Sequence, residues 1–138
     1  MGRALDPERI CNGTFGYCFL DGQWQTNINH LDAKVTNGKI EINLSGSKFT
    51  VHKTGPLKGT GTMSGFKVTS EMIQRAFSKF SIISKLDDPE AYGHERVRLD
   101  YVMVDEITLA NWTAGEEVKE EIPFTFEDFE LVDPISVT

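Results

Sequence analysis

A chain of 138 residues, 39% apolar and 25% charged, is long enough to bury one core without disulfide or metal staples. Its net charge of −7 argues against generic nucleic-acid binding, because no dominant positive field draws phosphate. No apolar run approaches the roughly eighteen residues of a membrane helix, and the first twenty residues hold Asp6, Glu8 and no apolar block, so neither a membrane span nor a signal peptide is expected.

Residues 1–13 show no periodicity and read as an N-terminal arm, mobile unless a partner pins it. Thr14–Leu20 reads as a strand, and Asp21-Gly22, which accept positive φ, as a primed hairpin turn. The return strand starts at Gln23 and Trp24 and runs on to Val35. A bulge near Asn29-His30 accounts for the change of apolar parity from Ile28 to Leu31, Ala33 and Val35. Asn37-Gly38 signals a second hairpin. After it Ile40, Ile42 and Leu44 alternate with Lys39, Glu41 and Asn43, as in a strand with one wet face. Gly46 breaks that strand, and Lys48–His52 reads as a short one with Phe49 and Val51 on one face.

Lys53–Lys58 reads as loop, part of a long glycine-rich loop over 45–58, followed by a strand from about Thr60 to Val68. Gly59-x-Gly61-x-x-x-Gly65 superficially resembles a phosphate cradle. It has one residue too many for the dinucleotide fingerprint, and it runs on into strand where a helix should begin. One helix is expected over about 70–79, capped by Thr69 or Ser70, with Met72, Ile73, Ala76, Phe77 and Phe80 as its core stripe. Ser81–Leu86 reads as a short strand and 87–94 as a turn-rich loop.

Glu95–Val104 is a long strand with Val97, Leu99, Tyr101 and Met103 on one face, and Val102 and Val104 make its end apolar on both faces. Ile107–Trp112 is expected to continue the sheet after a kink at Asp105-Glu106, and Ala114-Gly115 to turn the chain. In the final strand Ile122, Phe124 and Phe126 share one face. Pro123 places the start of that strand nearby or puts it at an edge, and the parity change past Asp128 marks a bulge or an end. Residues 133–138 read as a frayed tail.

The residue types give no catalytic, cofactor or metal site. His30, His52 and His94 lie in separate segments without a ligand partner at metal spacing, and no nucleophile motif occurs. Cys11 and Cys18 are open to two readings, free thiols or a disulfide. The sequons at Asn12, Asn43 and Asn111 read as chance. Glu116, Glu117, Glu120 and Glu121 read as solvated carboxylates that Arg96 and Arg98 can reach across neighbouring strands. Charge is segregated: six lysines and one acid lie between Lys34 and Lys67, eight acids and one base between Glu116 and Asp133. A basic and an acidic face suit head-to-tail association of copies, closed into rings or open as filaments.

The expected fold is therefore mainly β: an antiparallel sandwich or rolled barrel in a single domain, with one flanking helix and one long loop. Phe19–Gly22 (F-L-D-G), His52–Thr54 (H-K-T), Gly59–Thr62 (G-T-G-T), Lys67–Ser70 (K-V-T-S), Glu95–Val97 (E-R-V) and Glu120–Phe129 (E-E-I-P-F-T-F-E-D-F) add a resemblance. In order and spacing, from about Phe19 to Val132, they resemble the XkdM-like tail tube proteins of contractile-tailed phages and phage-derived particles of Gram-positive bacteria. Residues 1–16 follow no such pattern.

The resemblance implies six copies in a ring whose strands share an inner barrel, with rings stacked as a hollow tube inside a sheath. It implies no enzymatic activity and no cofactor. It implies sheath, baseplate or tube-initiator and tail terminator proteins as partners, and leaves open a DNA-delivering phage, whose DNA passes without specific binding, and a DNA-free bacteriocin. It implies assembly in the bacterial cytoplasm before incorporation into a virion or tail-like particle. The contacts expected between copies are Phe49, His52, Lys53, Thr54 and Lys58 against Glu116, Glu117 and Glu120. Two other readings fit the same strands. One is a monomeric ligand- or carbohydrate-binding sandwich using Trp24 and Trp112; the other is the tube of a related secretion or injection machine.

Overall fold

The computed structural model of the chain describes residues 6–136. Ten strands and one short helix follow two 3-10 turns. The strands are β1 (Gly16–Leu20), β2 (Gln23–Trp24), β3 (Ile28–Asn37), β4 (Ile40–Asn43), β5 (Thr50–Lys53), β6 (Leu57–Phe66), β7 (Phe80–Leu86), β8 (Glu95–Val104), β9 (Lys119–Phe126) and β10 (Asp128–Asp133), with α1 (Glu71–Arg75) between β6 and β7. All pairings are antiparallel. The main sheet runs β2-β1-β7-β8-β9-β6-β3, with β10 also on β8, and β4-β5 form a separate ribbon.

The main sheet rolls over itself because β8 changes partner along its length. Its first half pairs with β10, Phe129 facing Leu99, and its end pairs with β9, Val104 facing Phe124. The corner is made twice. Tyr101 takes φ 55° in β8, and Glu127 interrupts the final strand while its N–H donates to the Asp100 carbonyl (3.1 Å). The core fills the roll with Leu20 from β1, Met63 from β6, Ile82 from β7, Leu99, Val102 and Val104 from β8, and Ile122, Phe124 and Phe126 from β9. Burying such side chains contributes about 1.5–3 kcal/mol each.

The Tyr101 corner corrects the face expected of β8. Val97 and Leu99 point inward as anticipated, but the extra residue moves Tyr101 and Met103 outward and brings Val102 and Val104 in. Pro123 lies well inside β9, four residues after its start, rather than near the beginning. Its carbonyl accepts from Asp105 N–H (2.9 Å), so its missing donor falls on the β8 side, where the ladder reaches only to Val104. On that flank Pro123 does sit at an edge.

Several other expectations are corrected. The helix is five residues, not ten: Ala76 takes φ 52° and ends it, Phe77 is 54% exposed, and Phe80 belongs to β7. Ile107–Trp112 forms no strand, since Ile107 alone packs on the core while Leu109 and Trp112 are exposed. The Asp21-Gly22 turn forms with φ 49° and 84°, and Asp21 accepts from Ser81 N–H and Arg75 Nη1, tying the turn to β7 and α1. The strand after it is not continuous. It stops at Trp24 and resumes at Ile28, with the bulge at Asn29 where the β3–β6 register shifts.

Asn37-Gly38 is not a hairpin turn. Gly38 N–H donates to the Pro56 carbonyl (2.9 Å), and a built Cβ at Gly38 would meet that carbonyl oxygen 2.9 Å away, so the two chains pass close together there. β3 and β4 continue on one side of this crossing and β5 and β6 on the other, which makes residues 28–66 one long hairpin turning at 44–49. The segment 45–58 is therefore not a long loop. It contains the tip, β5, a crossing at Gly55-Pro56 and the start of β6.

The N-terminal segment is anchored within the chain. The buried Asp88 carboxylate accepts from the N–H groups of Asn12 (3.0 Å) and Glu90 (2.9 Å), and Arg9 donates to the Glu90 carbonyl and lies over the Tyr92 ring. Residues 1–5 and 137–138 of the expected arm and tail lie outside the described residues.

Candidate assembly surface

The outer half of the long hairpin, residues 38–56, is an arm. Among the described residues β4 and β5 pair as strands only with each other, and every residue of both is exposed. The register sets their faces. Ile42 lies opposite Val51 and Ile40 opposite Lys53, so Ile40, Ile42, Val51 and Lys53 share one face, while Glu41 and His52 lie opposite each other on the other. The first face is largely apolar and uncovered: Ile40, Ile42 and Val51 are exposed on it, and Leu44 and Phe49 are exposed at the tip beyond it, Phe49 at 82%.

Charge surrounds this face. Lys34, Lys39, Lys48, Lys53 and Lys58 lie on the hairpin, and none joins an ion pair among the described residues. The acidic counterpart is the 105–118 segment. Asp105, Glu106, Glu116 and Glu117 are likewise unpaired there, and the segment has no base. Asn111, Trp112, Thr113, Glu116, Glu117 and Lys119 line an open concavity of about 400 Å³. The turn at Ala114-Gly115 closes it, Gly115 taking φ 87° and Glu116 N–H donating to the Thr113 carbonyl (3.1 Å).

The expected contact residues thus fall in different places. Lys53 lies on the arm's apolar side and His52 on the other, Phe49 stands at the tip just before β5, Thr54 follows β5, and Lys58 is in β6 opposite Thr36. Glu116 and Glu117 are exposed in the acidic loop, but Glu120 is only 8% exposed, in β9. Burial pushes its carboxyl above the ordinary range, opposed by Lys67 and reinforced by Glu71. A buried carboxylate cannot serve as a surface contact, so Glu120 leaves that set. Arg96 and Arg98 do not reach these glutamates. Arg96 pairs with Asp133 and Arg98 with Glu130 across β8–β10, and Arg98 also pairs with Asp100 in its own strand. Sequence reasoning missed Leu109, 72% exposed, because its place in an expected strand hid it, and it singled out Trp112, 74% exposed, only as part of a carbohydrate platform.

Nothing in the described residues gathers three His, Cys, Asp or Glu side chains as metal ligands. Cys11 and Cys18 are free thiols, and burial pushes Cys18 up to about 11, which makes it a poor nucleophile at neutral pH. An open cleft of about 700 Å³ lies between β1 and β3, with Tyr17 and Trp24 edge to face at its wall. Trp24 lines this cleft and Trp112 the other concavity, so the two tryptophans do not form one carbohydrate platform. The glycines of β6 make room for neighbouring rings and backbone: Gly65 lies against the Asn27 carbonyl. Phe126 lies against Gly59 and Phe124 against Gly61.

Comparison with known proteins agrees with this architecture. A family described as phage tail tube protein matches residues 3–133. The chain is 35% identical to the phage-like element PBSX protein XkdM of Bacillus subtilis (strain 168), over 98% of this chain and 99% of that protein. Its fold is similar to a chain of the sheath–tube complex of an extracellular contractile injection system, PVC, in the extended state. The TM-score there is 0.66 at 10% identity, covering 85% of this chain and 88% of the other. It is also similar to a chain of the virion of a native gene transfer agent particle, with TM-score 0.64 at 14% identity, covering 88% and 98%.

Proposed function

The chain belongs to the phage tail tube protein family, and from that premise we propose that six copies close into a ring and that rings stack head to tail as the hollow inner tube of a contractile tail or tail-like particle. The observation that carries the ring-and-stack reading is the arm, an uncovered and largely apolar strand face flanked by unpaired lysines and by Glu41 as the arm's one acid, on a chain that gathers unpaired acids in the 105–118 segment. Identical copies with separate complementary surfaces associate heterologously, the geometry that yields rings and filaments. Free sheet edges at β3 and β10 suit pairing between copies, which removes exposed edges that soluble chains otherwise have to protect.

The role is mechanical, without a reaction or a cofactor. Sheath protein surrounds the tube, a baseplate or initiator protein starts it, and a terminator ends it. In a DNA-delivering particle, as opposed to a DNA-free bacteriocin, DNA slides through without specific contacts. Assembly takes place in the bacterial cytoplasm, and the finished tube belongs to the particle. The whole chain acts as one tail tube domain, with residues 1–13 and 133–138 at its ends and 45–58 reaching a neighbour.

Negative-stain electron microscopy across a concentration series tests this reading. Hollow tubes or six-fold rings are expected from the purified chain. Reversing Lys53 and Lys58 together to glutamate is expected to abolish tube growth with the fold intact by circular dichroism. Unchanged tubes from that double variant would defeat the role given to the arm.

A further inference from the structure

We propose that the arm of one copy seats on the 105–118 loop of a second copy, with Phe49 entering the concavity beside Trp112 and the arm lysines facing Glu116 and Glu117. This rests on the tube reading and names the two surfaces that meet in it. The arm and the loop are matched in two independent ways. Each presents large apolar side chains to water: Ile42, Phe49 and Val51 on the arm, Leu109 and Trp112 on the loop. Each also carries unpaired charge of one sign. The hairpin from Lys34 to Lys58 has five lysines against Glu41 alone, and the loop from 105 to 118 has four acids and no base.

The concavity is the right kind of receptor. Trp112 lies beside two carboxylates in one depression, with Lys119 as the single cation on its wall. An aromatic side chain flanked by cations meets there an aromatic flanked by anions. Apolar burial supplies affinity, and the charges set register and exclude arm-to-arm pairing. Lys53 shares the arm's apolar face, so it reaches the same partner as Val51 rather than the opposite side. Among the described residues the β4–β5 ribbon pairs with no further strand, and the loop's acids complement this chain's own arm lysines, so the occupant proposed for the loop is a second copy.

The test reads assembly by electron microscopy and sedimentation, and contact by cross-linking. Phe49→Ala and Trp112→Ala are each expected to raise the concentration needed for assembly by about tenfold or more. Lys53→Glu is expected to stop assembly, and adding Glu116→Lys and Glu117→Lys to the same chain to restore it. Mixed Phe49→Cys and Trp112→Cys chains, oxidised, are expected to form a disulfide-linked dimer, and this readout needs no variant that loses a core contact. Wild-type-like assembly of both alanine variants, a charge swap that does not restore, or cross-links only between two Phe49→Cys chains would overturn the arm–loop pairing. Wild-type protein in the same experiment separates the two levels. If it forms tubes and the arm–loop cross-link is missing, the pairing alone falls; if it never assembles, the tube reading falls with it.

Discussion

Gly61 has only a hydrogen where every other residue would place a carbon, and the Phe124 ring uses that space. A built Cβ would lie 2.6 Å from the ring and collide with the Asp32 carbonyl of the neighbouring strand. Gly61→Ala is expected to destabilise the chain by about 1–3 kcal/mol, measured by urea unfolding, because both the fully buried ring and a backbone would have to move. Glu120 offers a test by pH. Its folded carboxyl holds a proton more tightly than the unfolded one, so the charged form costs stability as pH rises through the folded value, and that cost vanishes below the unfolded value. Glu120→Gln removes the charge. Its Tm is expected to exceed that of the wild type at about pH 8, with the gap closing near pH 4. The glycine spacing of β6 was visible in the sequence, but its meaning was not: only the register across β6 and β9 shows that Gly59 and Gly61 face Phe126 and Phe124.

At the scale of elements, the long hairpin divides into a structural half and an exposed half. β3 and β6 build the main sheet, and β4 and β5 touch no part of the core. Replacing residues 44–49 by a two-residue turn is therefore expected to leave Tm within a few degrees of the wild type while abolishing rings and tubes. A large drop in Tm would show that the arm supports its own chain. The anchor at Asp88 predicts the reverse pattern. Asp88→Ala leaves the Asn12 and Glu90 N–H groups without their carboxylate and is expected to cost about 1–3 kcal/mol, with faster proteolysis near residue 12 as the direct readout. Periodicity revealed β1, β7, β8 and β9 because each has one face on the core. It misread Asn37-Gly38 because a glycine at a close crossing looks, in one dimension, like a glycine in a turn. It overextended α1 because Phe80 keeps helical spacing from Met72 and Ile73 while the Ala76 backbone has already left the helix.

For the whole molecule, segregated charge and apolar exposure make stability inseparable from association. Tm is expected to rise with protein concentration in the wild type and to stay flat in the Lys53→Glu, Lys58→Glu variant, because only an assembling chain gains by mass action. Scanning calorimetry at two concentrations about a hundredfold apart checks this, and an equally flat wild type would count against assembly through the arm. The fold class was legible in the sequence. The surfaces were half legible: charge segregation showed from composition along the chain, whereas the exposure of Ile42, Leu109 and Trp112 depends on what the remaining strands leave uncovered. The arm also creates a storage problem for the cell. A ribbon with apolar side chains on one face and open edges on both sides is the shape that seeds aggregates. Its lysines act as gatekeepers, since arms of like charge repel one another at close range. That protection reaches only about 8 Å at physiological ionic strength. A stock of unassembled chains should therefore keep longest in dilute, low-salt solution, and added salt should turn waiting subunits into amorphous precipitate.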